Sequence, residues 1–178
     1  MESTGSPGRG HMGQIVDILI AAEPASPAVS VQGIRAVPGR GLEGDRYFNG
    51  TGTFSPHPQK PDFEVTLIQR EHIDSFASET GVPFSPRDAR RNLVTTGVDL
   101  NTLVGREFWA GAVLMRGIRL CEPCNYLAKR TTPEVLRGLL HKGGLRAQIL
   151  CGGEIRVGDA LVGALPGQPP DPEPERRG

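Results

Sequence analysis

Apolar residues along this chain come in short alternating runs rather than long helical stripes. Ile15 to Ala21, Val29 to Val31, Glu64 to Ile68, Asn92 to Thr95, Glu107 to Trp109, Val113 to Arg116, Arg119 to Cys121, Ala147 to Cys151, Glu154 to Val157 and Ala160 to Val162 read as strands. Glycine and proline, at 24 and 16 of the 178 residues, cut between them. Three segments carry helical signals. Arg70 to Thr80 places Ile73, Phe76 and Ala77 on one face, and Gly81 follows as a left-handed cap. Ser85-Pro86-Arg87-Asp88 has the form of a capping box with proline in its first turn, which predicts a short helical turn before Arg90. Thr132-Pro133 opens a third helix, running to about Lys142, with Val135, Leu136, Leu139 and Leu140 as its apolar positions and Gly143 to close it. Strands this short and this closely spaced leave no room for repeated βαβ crossovers. The predicted fold is mainly β: a closed or half-closed barrel with a few short helices, because closure removes the edges that many short strands would otherwise expose.

The pattern also sets the limits of the folded unit. Residues 1–13 are rich in Ser, Gly and Pro without apolar periodicity, and are expected to be a disordered or expression-derived leader. Residues 166–178 form a Pro-rich tail that cannot bury enough surface to order itself. Residues 14–165 are then a single domain, long enough to bury a proper core.

Composition removes several function classes. Lys plus Arg and Asp plus Glu number 20 each, so no global field draws the chain to nucleic acid, and any anion site must be local. No apolar run approaches the roughly 18 residues that cross a bilayer, so no membrane partner is expected. Three cysteines without an apolar leader argue for a reducing, cytoplasmic setting rather than a disulfide scaffold.

Two of those cysteines lie three residues apart, in Leu120-Cys121-Glu122-Pro123-Cys124-Asn125. A thiol can be a metal ligand, a nucleophile or a sulfur carrier, and each role depends on thiolate character and access. The competing reading is that both are small buried hydrophobes. A closed zinc site needs four ligands. One Cys pair, a distant Cys151 and histidines at 11, 57, 72 and 141 do not supply them at suitable spacing. Asn125-Tyr126-Leu127 leads into basic residues rather than a predicted helix, which also weakens a thioredoxin-like dithiol. Cys151, ending the apolar run Ile149-Leu150, is expected to point into the core.

Four further patterns follow in order: Gly41-Leu42-Glu43-Gly44-Asp45-Arg46, Arg90-Arg91-Asn92-Leu93-Val94, Gly143-Gly144-Leu145-Arg146 and Gly152-Gly153-Glu154-Ile155-Arg156-Val157-Gly158-Asp159. With Gly97-Val98-Asp99-Leu100 and Cys-Glu-Pro-Cys in register between them, the chain resembles the MOSC domain family, named for the C-terminal domain of molybdenum-cofactor sulfurases. The likeness runs over residues 14–165, most strongly 64–162, and is to a standalone bacterial-type member. It implies a β-barrel of MOSC type and a reactive cysteine that carries sulfur or ligates molybdenum. Cys124 matches that cysteine, as catalytic residue and metal ligand, and Cys121 is its neighbour. The resemblance implies a molybdopterin-type molybdenum cofactor, and a role in molybdoenzyme maturation or in reduction of N-hydroxylated compounds, with a sulfur-donating or electron-donating protein as partner. No pyridoxal phosphate is expected, since the aminotransferase-like half that carries its Schiff-base lysine is not in this sequence.

Residue chemistry agrees with that cofactor class. A thiolate suits a soft metal, and arginine forks suit a phosphate. Arg91 and Arg46 are the first candidates for the phosphate, with Arg90 and Arg146 next. Asn92 could donate to a carbonyl or heterocycle edge, and Asp45 could orient an arginine. Any one of these arginines could instead be a surface charge or a partner of Asp45 or Glu122. The alternative for the whole chain is a non-catalytic binding module for a small anionic ligand or a partner protein, with the cysteines only structural.

Overall fold

The computed structural model describes residues 11–164, and the expected leader and tail over residues 1–10 and 165–178 lie outside the described residues. The chain opens with β1 (His11–Ile20), β2 (Val29–Ser30), β3 (Gly33–Val37) and β4 (Gly41–Leu42). A 3-10 turn (Pro61–Phe63) precedes β5 (Val65–Gln69), α1 (Arg70–Thr80), α2 (Pro86–Ala89) and β6 (Leu93–Thr96). After a second 3-10 turn (Leu100–Leu103) come β7 (Glu107–Ala110), β8 (Val113–Leu120), α3 (Asn125–Arg130) and α4 (Val135–Gly138). The run ends with β9 (Leu145–Cys151), β10 (Gly153–Arg156) and β11 (Ala160–Gly163).

β11, β7, β8, β9, β5, β6 and β1 are hydrogen-bonded in that order, and β1 also pairs with β11, which closes a seven-strand barrel. The predicted mainly β barrel is therefore the fold. Its lumen is filled by one face of each strand: Ile15, Leu67, Leu93, Phe108, Met115, Leu145, Ile149 and Leu161 are all buried there. β5 and β6 pair in parallel, joined by the crossover through α1 and α2. The next residues along those two strands, Ile68 and Val94, face the other way, into a second apolar cluster with Ile73, Phe76, Leu127, Val135 and Leu139 from the helices. Strands covered on both faces read as continuous apolar runs, which is why this pair is so plain in the sequence.

The structure departs from the predicted elements at points that have physical causes. β1 begins at His11, before the expected boundary at Gln14, and His11 pairs with Val162. β8 is one strand, not two. Gly117, read as a break, sits where the backbone of Leu103 comes so close that a Cβ would lie 2.1 Å from its carbonyl oxygen, and the register slips between Gly117 and Arg119. β3 and β4 were not predicted; with β10 they form a separate three-stranded sheet. α3 was not predicted either, because its only buried residue is Leu127 and one anchor makes no periodicity. The third predicted helix shortens to Val135–Gly138, with Val135 and Leu139 buried and Leu136 and Leu140 exposed. Cys151 is exposed rather than in the core: β9 buries Leu145, Ala147 and Ile149, but Cys151 ends the strand at a register slip between Leu114 and Met115.

Glu64 fastens the small sheet to the barrel. Buried just before β5, its Oε2 accepts the Ile149 N–H at 2.6 Å, and the Gly39 N–H between β3 and β4 also bonds to it. Burial pushes its carboxyl above the ordinary carboxylate range, against the lowering effect of those two donors. The sign follows from linkage: a raised folded pKa gives stability that is full below the unfolded pKa and is lost as pH rises through the folded value. Glu64→Ala should cost about 1–3 kcal/mol by stranding the Ile149 N–H. Glu64→Gln should keep the acceptor. The stability difference, wild type minus Gln variant, should fall between pH 4 and pH 8 in urea titrations, and a flat or rising difference would contradict the account.

Candidate functional site

One cleft collects most of the residues singled out in the sequence. It encloses about 350 Å3, open to solvent, and is lined by Arg46, Tyr47, Phe63, Thr66, Arg90, Arg91, Asn92, Cys121 and Arg146. Its walls come from the loop after β4, the turn before β5, the junction of α2 with β6, the end of β8 and the start of β9. The predicted cofactor residues Arg46, Arg90, Arg91, Asn92 and Arg146 are thus brought together.

Each side chain is held by local structure. Asp45 is buried, and its Oδ1 accepts the Ala21 N–H at 3.1 Å while its Oδ2 accepts the Tyr47 N–H at 3.2 Å. The same carboxylate meets Arg46 Nη1 at 3.3 Å, so it orients the arginine as expected while fixing the loop. Arg46 lies over the Tyr47 ring at 4.9 Å and Arg146 over the Phe63 ring at 4.8 Å, so each guanidinium has a flat apolar support. Arg146 Nη1 donates to Asp62 O at 3.2 Å, while its Nε is buried without a partner.

Arg91 and Asn92 serve the fold as well as the cleft. Arg91 donates from Nε to Gly143 O at 2.9 Å, from Nη1 to Ala89 O at 3.1 Å and from Nη2 to Cys121 O at 3.3 Å. It therefore ties α2, the cysteine loop and the Gly143-Gly144 turn into one unit. Asn92 Oδ1 accepts from Thr66 N and Thr66 Oγ1, both at 3.1 Å, and Nδ2 donates to Leu19 O at 3.2 Å. Its amide is committed to joining β5, β6 and β1, not aimed at a heterocycle. Arg90 stands in the left-handed region at φ 55°, where glycine is favoured, so the fold tolerates strain to keep this side chain. Burial first, then the Arg46 and Arg130 charges, pull its guanidinium below the usual value.

The thiols divide in a way the sequence did not show. Cys121 is buried and lines the cleft; Cys124 is exposed and precedes α3 as its cap residue; Cys151 is exposed elsewhere. Glu122, between the pair, bonds to the His141 N–H and imidazole, at 3.1 and 3.3 Å, rather than to any of the arginines. Among the described residues no group of three or more His, Cys, Asp or Glu could hold a metal ion. Sequence reading missed Tyr47, Phe63 and Thr66. Tyr47 could have been found by its adjacency to Arg46, whereas Phe63 gave no signal in its Pro-rich surroundings.

A barrel carrying this cleft and this cysteine loop defines a family. The MOSC domain model matches residues 53–162, more than half of the chain, and the protein belongs to the MOSC domain family. Solved structures share the fold. The YuaD protein from Bacillus subtilis is 16% identical, with 86% of this chain and 97% of that one covered and a TM-score of 0.71. YiiM from Geobacillus stearothermophilus is 19% identical, covering 86% and 75% of the two chains with a TM-score of 0.66. YiiM from Escherichia coli is 20% identical, covering 86% and 70% with a TM-score of 0.62. A search of curated protein sequences found no match. No helix among the described residues is long and apolar enough to cross a membrane.

Proposed function

We propose that this protein binds a molybdopterin-type molybdenum cofactor or carries sulfur on Cys124, in support of molybdoenzyme maturation or reduction of N-hydroxylated compounds in the cytoplasm. The observation that carries the reading is the charge of the cleft. Arg46, Arg90, Arg91 and Arg146 line it, no carboxylate lines it, and the buried Nε atoms of Arg90 and Arg146 have no partner. Buried donors without acceptors and an excess of positive charge favour an anionic ligand such as a phosphate. Residues of this kind fit the phosphate of the cofactor, with Arg46 and Arg146 as its first holders. When bound, the cofactor supplies a redox-active metal that takes soft ligands.

For the metal or for sulfur, Cys124 is the accessible thiol of the pair. As a carrier, its thiolate attacks the outer sulfur of a donor protein's persulfide; the new S–S bond forms on Cys124 and the donor's own thiolate leaves. Cys121 lies in the cleft lining three residues earlier, so the loop sets one thiol inside and one outside. The alternative in which both cysteines are merely packed suits Cys121 but not the exposed Cys124.

The test is elemental analysis for molybdenum, together with sulfane-sulfur assay, on protein purified from a host that makes the cofactor. Wild type should retain molybdenum or sulfane sulfur, and Cys124→Ser should retain at least tenfold less with unchanged folding. Alkylation mapped by mass spectrometry should label Cys124 and Cys151 well before Cys121. Equal loading of wild type and Cys124→Ser would refute the role of Cys124.

A further inference from the structure

Beside the cleft is a second hollow of about 590 Å3, whose lining includes Ala28, Arg87, Asp88, Arg90 and Arg130. Arg90 lines both spaces. Its Nη1 and Nη2 donate to Ser26 O at 3.0 Å and Pro24 O at 2.9 Å, which fixes the guanidinium plane as the wall between them. Its Nε is left buried and unpartnered.

The positive charge of this hollow is poorly balanced. Asp88 is the one carboxylate in the lining, and its Oδ2 already accepts Ser85 N at 2.7 Å and Ser85 Oγ at 2.8 Å in the cap of α2. Arg130 is placed from outside: its guanidinium lies 5.7 Å from the Tyr126 ring, Thr53 Oγ1 donates to the Tyr126 hydroxyl at 3.3 Å, and the Phe54 ring meets Tyr126 edge-on at 5.4 Å. The guanidinium groups of Arg46, Arg90 and Arg130 are close enough for both outer ones to act on the middle one. Like charges held in such a row are costly unless an anion lies along them.

We infer that Arg87, Arg90 and Arg130 form a second phosphoryl subsite continuous with the cleft, so that the ligand of this protein carries two linked phosphoryl groups, as a diphosphate ester does. One phosphoryl group meets Arg46 and Arg146, and the next meets Arg90 and Arg130. The inference rests on the proposal that the cleft takes a phosphate-bearing ligand, and it adds the length and charge of that ligand.

Calorimetric titration with inorganic orthophosphate, pyrophosphate and tripolyphosphate at low salt tests it. Wild type should bind pyrophosphate at least tenfold more tightly than orthophosphate. Arg130→Gln combined with Arg87→Gln should bring the two within threefold while leaving orthophosphate affinity unchanged, and Arg46→Gln should weaken both ligands. Arg70→Gln, on the surface of α1, should alter neither and so controls for general loss of charge. Equal affinity for orthophosphate and pyrophosphate in the wild type overturns the second subsite but leaves the phosphate cleft standing. A pyrophosphate advantage that survives the Arg87 and Arg130 substitutions does the same. No binding of orthophosphate at all overturns the cleft proposal and the subsite with it.

Discussion

Gly144→Ala should unfold a large share of the protein, at a cost of about 3–5 kcal/mol, since backbone strain and overpacking each contribute on the order of 1–3 kcal/mol. Gly144 has φ +110°, a conformation that favours glycine, and a Cβ there would lie 2.1 Å from Leu67 O and 3.1 Å from Leu67 C. Both are backbone atoms of β5 inside the barrel, so nothing can rotate away. The same residue accepts the Cys121 N–H at 2.7 Å through its own carbonyl. A shift that relieves the clash therefore pulls the cysteine loop out of register with the cleft. Gly81→Ala is the matched comparison: φ is +70° and no atom lies within 4 Å of the added carbon, so only strain remains, about 1 kcal/mol. Urea denaturation should show a midpoint far lower for Gly144→Ala than for Gly81→Ala. Similar midpoints for the two would mean that the close approach to Leu67 does not constrain the fold.

Arg91→Lys should cost about 2 kcal/mol and lower Tm by about 4–8 °C, because hydrogen bonds from charged donors are worth about 1.5–3 kcal/mol and an ammonium cannot reproduce a planar fork. The fork meets Gly143 O, Ala89 O and Cys121 O at once. Lysine keeps the charge but offers one point of contact, so at least one of those carbonyls loses its donor. Phosphate affinity should fall less in this variant than in Arg46→Gln, since the guanidinium of Arg91 is largely spent on the main chain. Differential scanning calorimetry paired with phosphate titration separates the two effects. Unchanged Tm with a tenfold loss of phosphate binding would instead make Arg91 a ligand residue first.

How much of this was legible follows from where each signal resides. α1 and the α2 turn were visible because their caps are local: Gly81 is left-handed after Thr80, and Ser85 and Asp88 close a capping box within one turn. The paired runs at β5 and β6 were visible because both faces are buried. β3 and β4 were not, since two and five residues with Arg35 among them carry too short an alternation. The candidate arginines were found from motifs, but their division of labour was not: whether a guanidinium faces a ligand or a carbonyl depends on chain segments that the sequence holds far apart. Cys151 shows the same limit. Its run of neighbours pointed inward, and only the register slip against β8 turned it to solvent.

The order of alternating runs, glycine breaks and helix caps determined a closed mainly β barrel, because those signals arise between residues adjacent in the chain. The cysteine loop and the arginine motifs likewise marked the chemistry. Tertiary structure alone decided that Cys121 lines the cleft while Cys124 stays outside, that Asn92 is spent on Thr66 and Leu19, and that Arg90 separates two hollows. Those outcomes depend on closing the barrel, which brings the loop after β4, the start of β6 and the ends of β8 and β9 to one side.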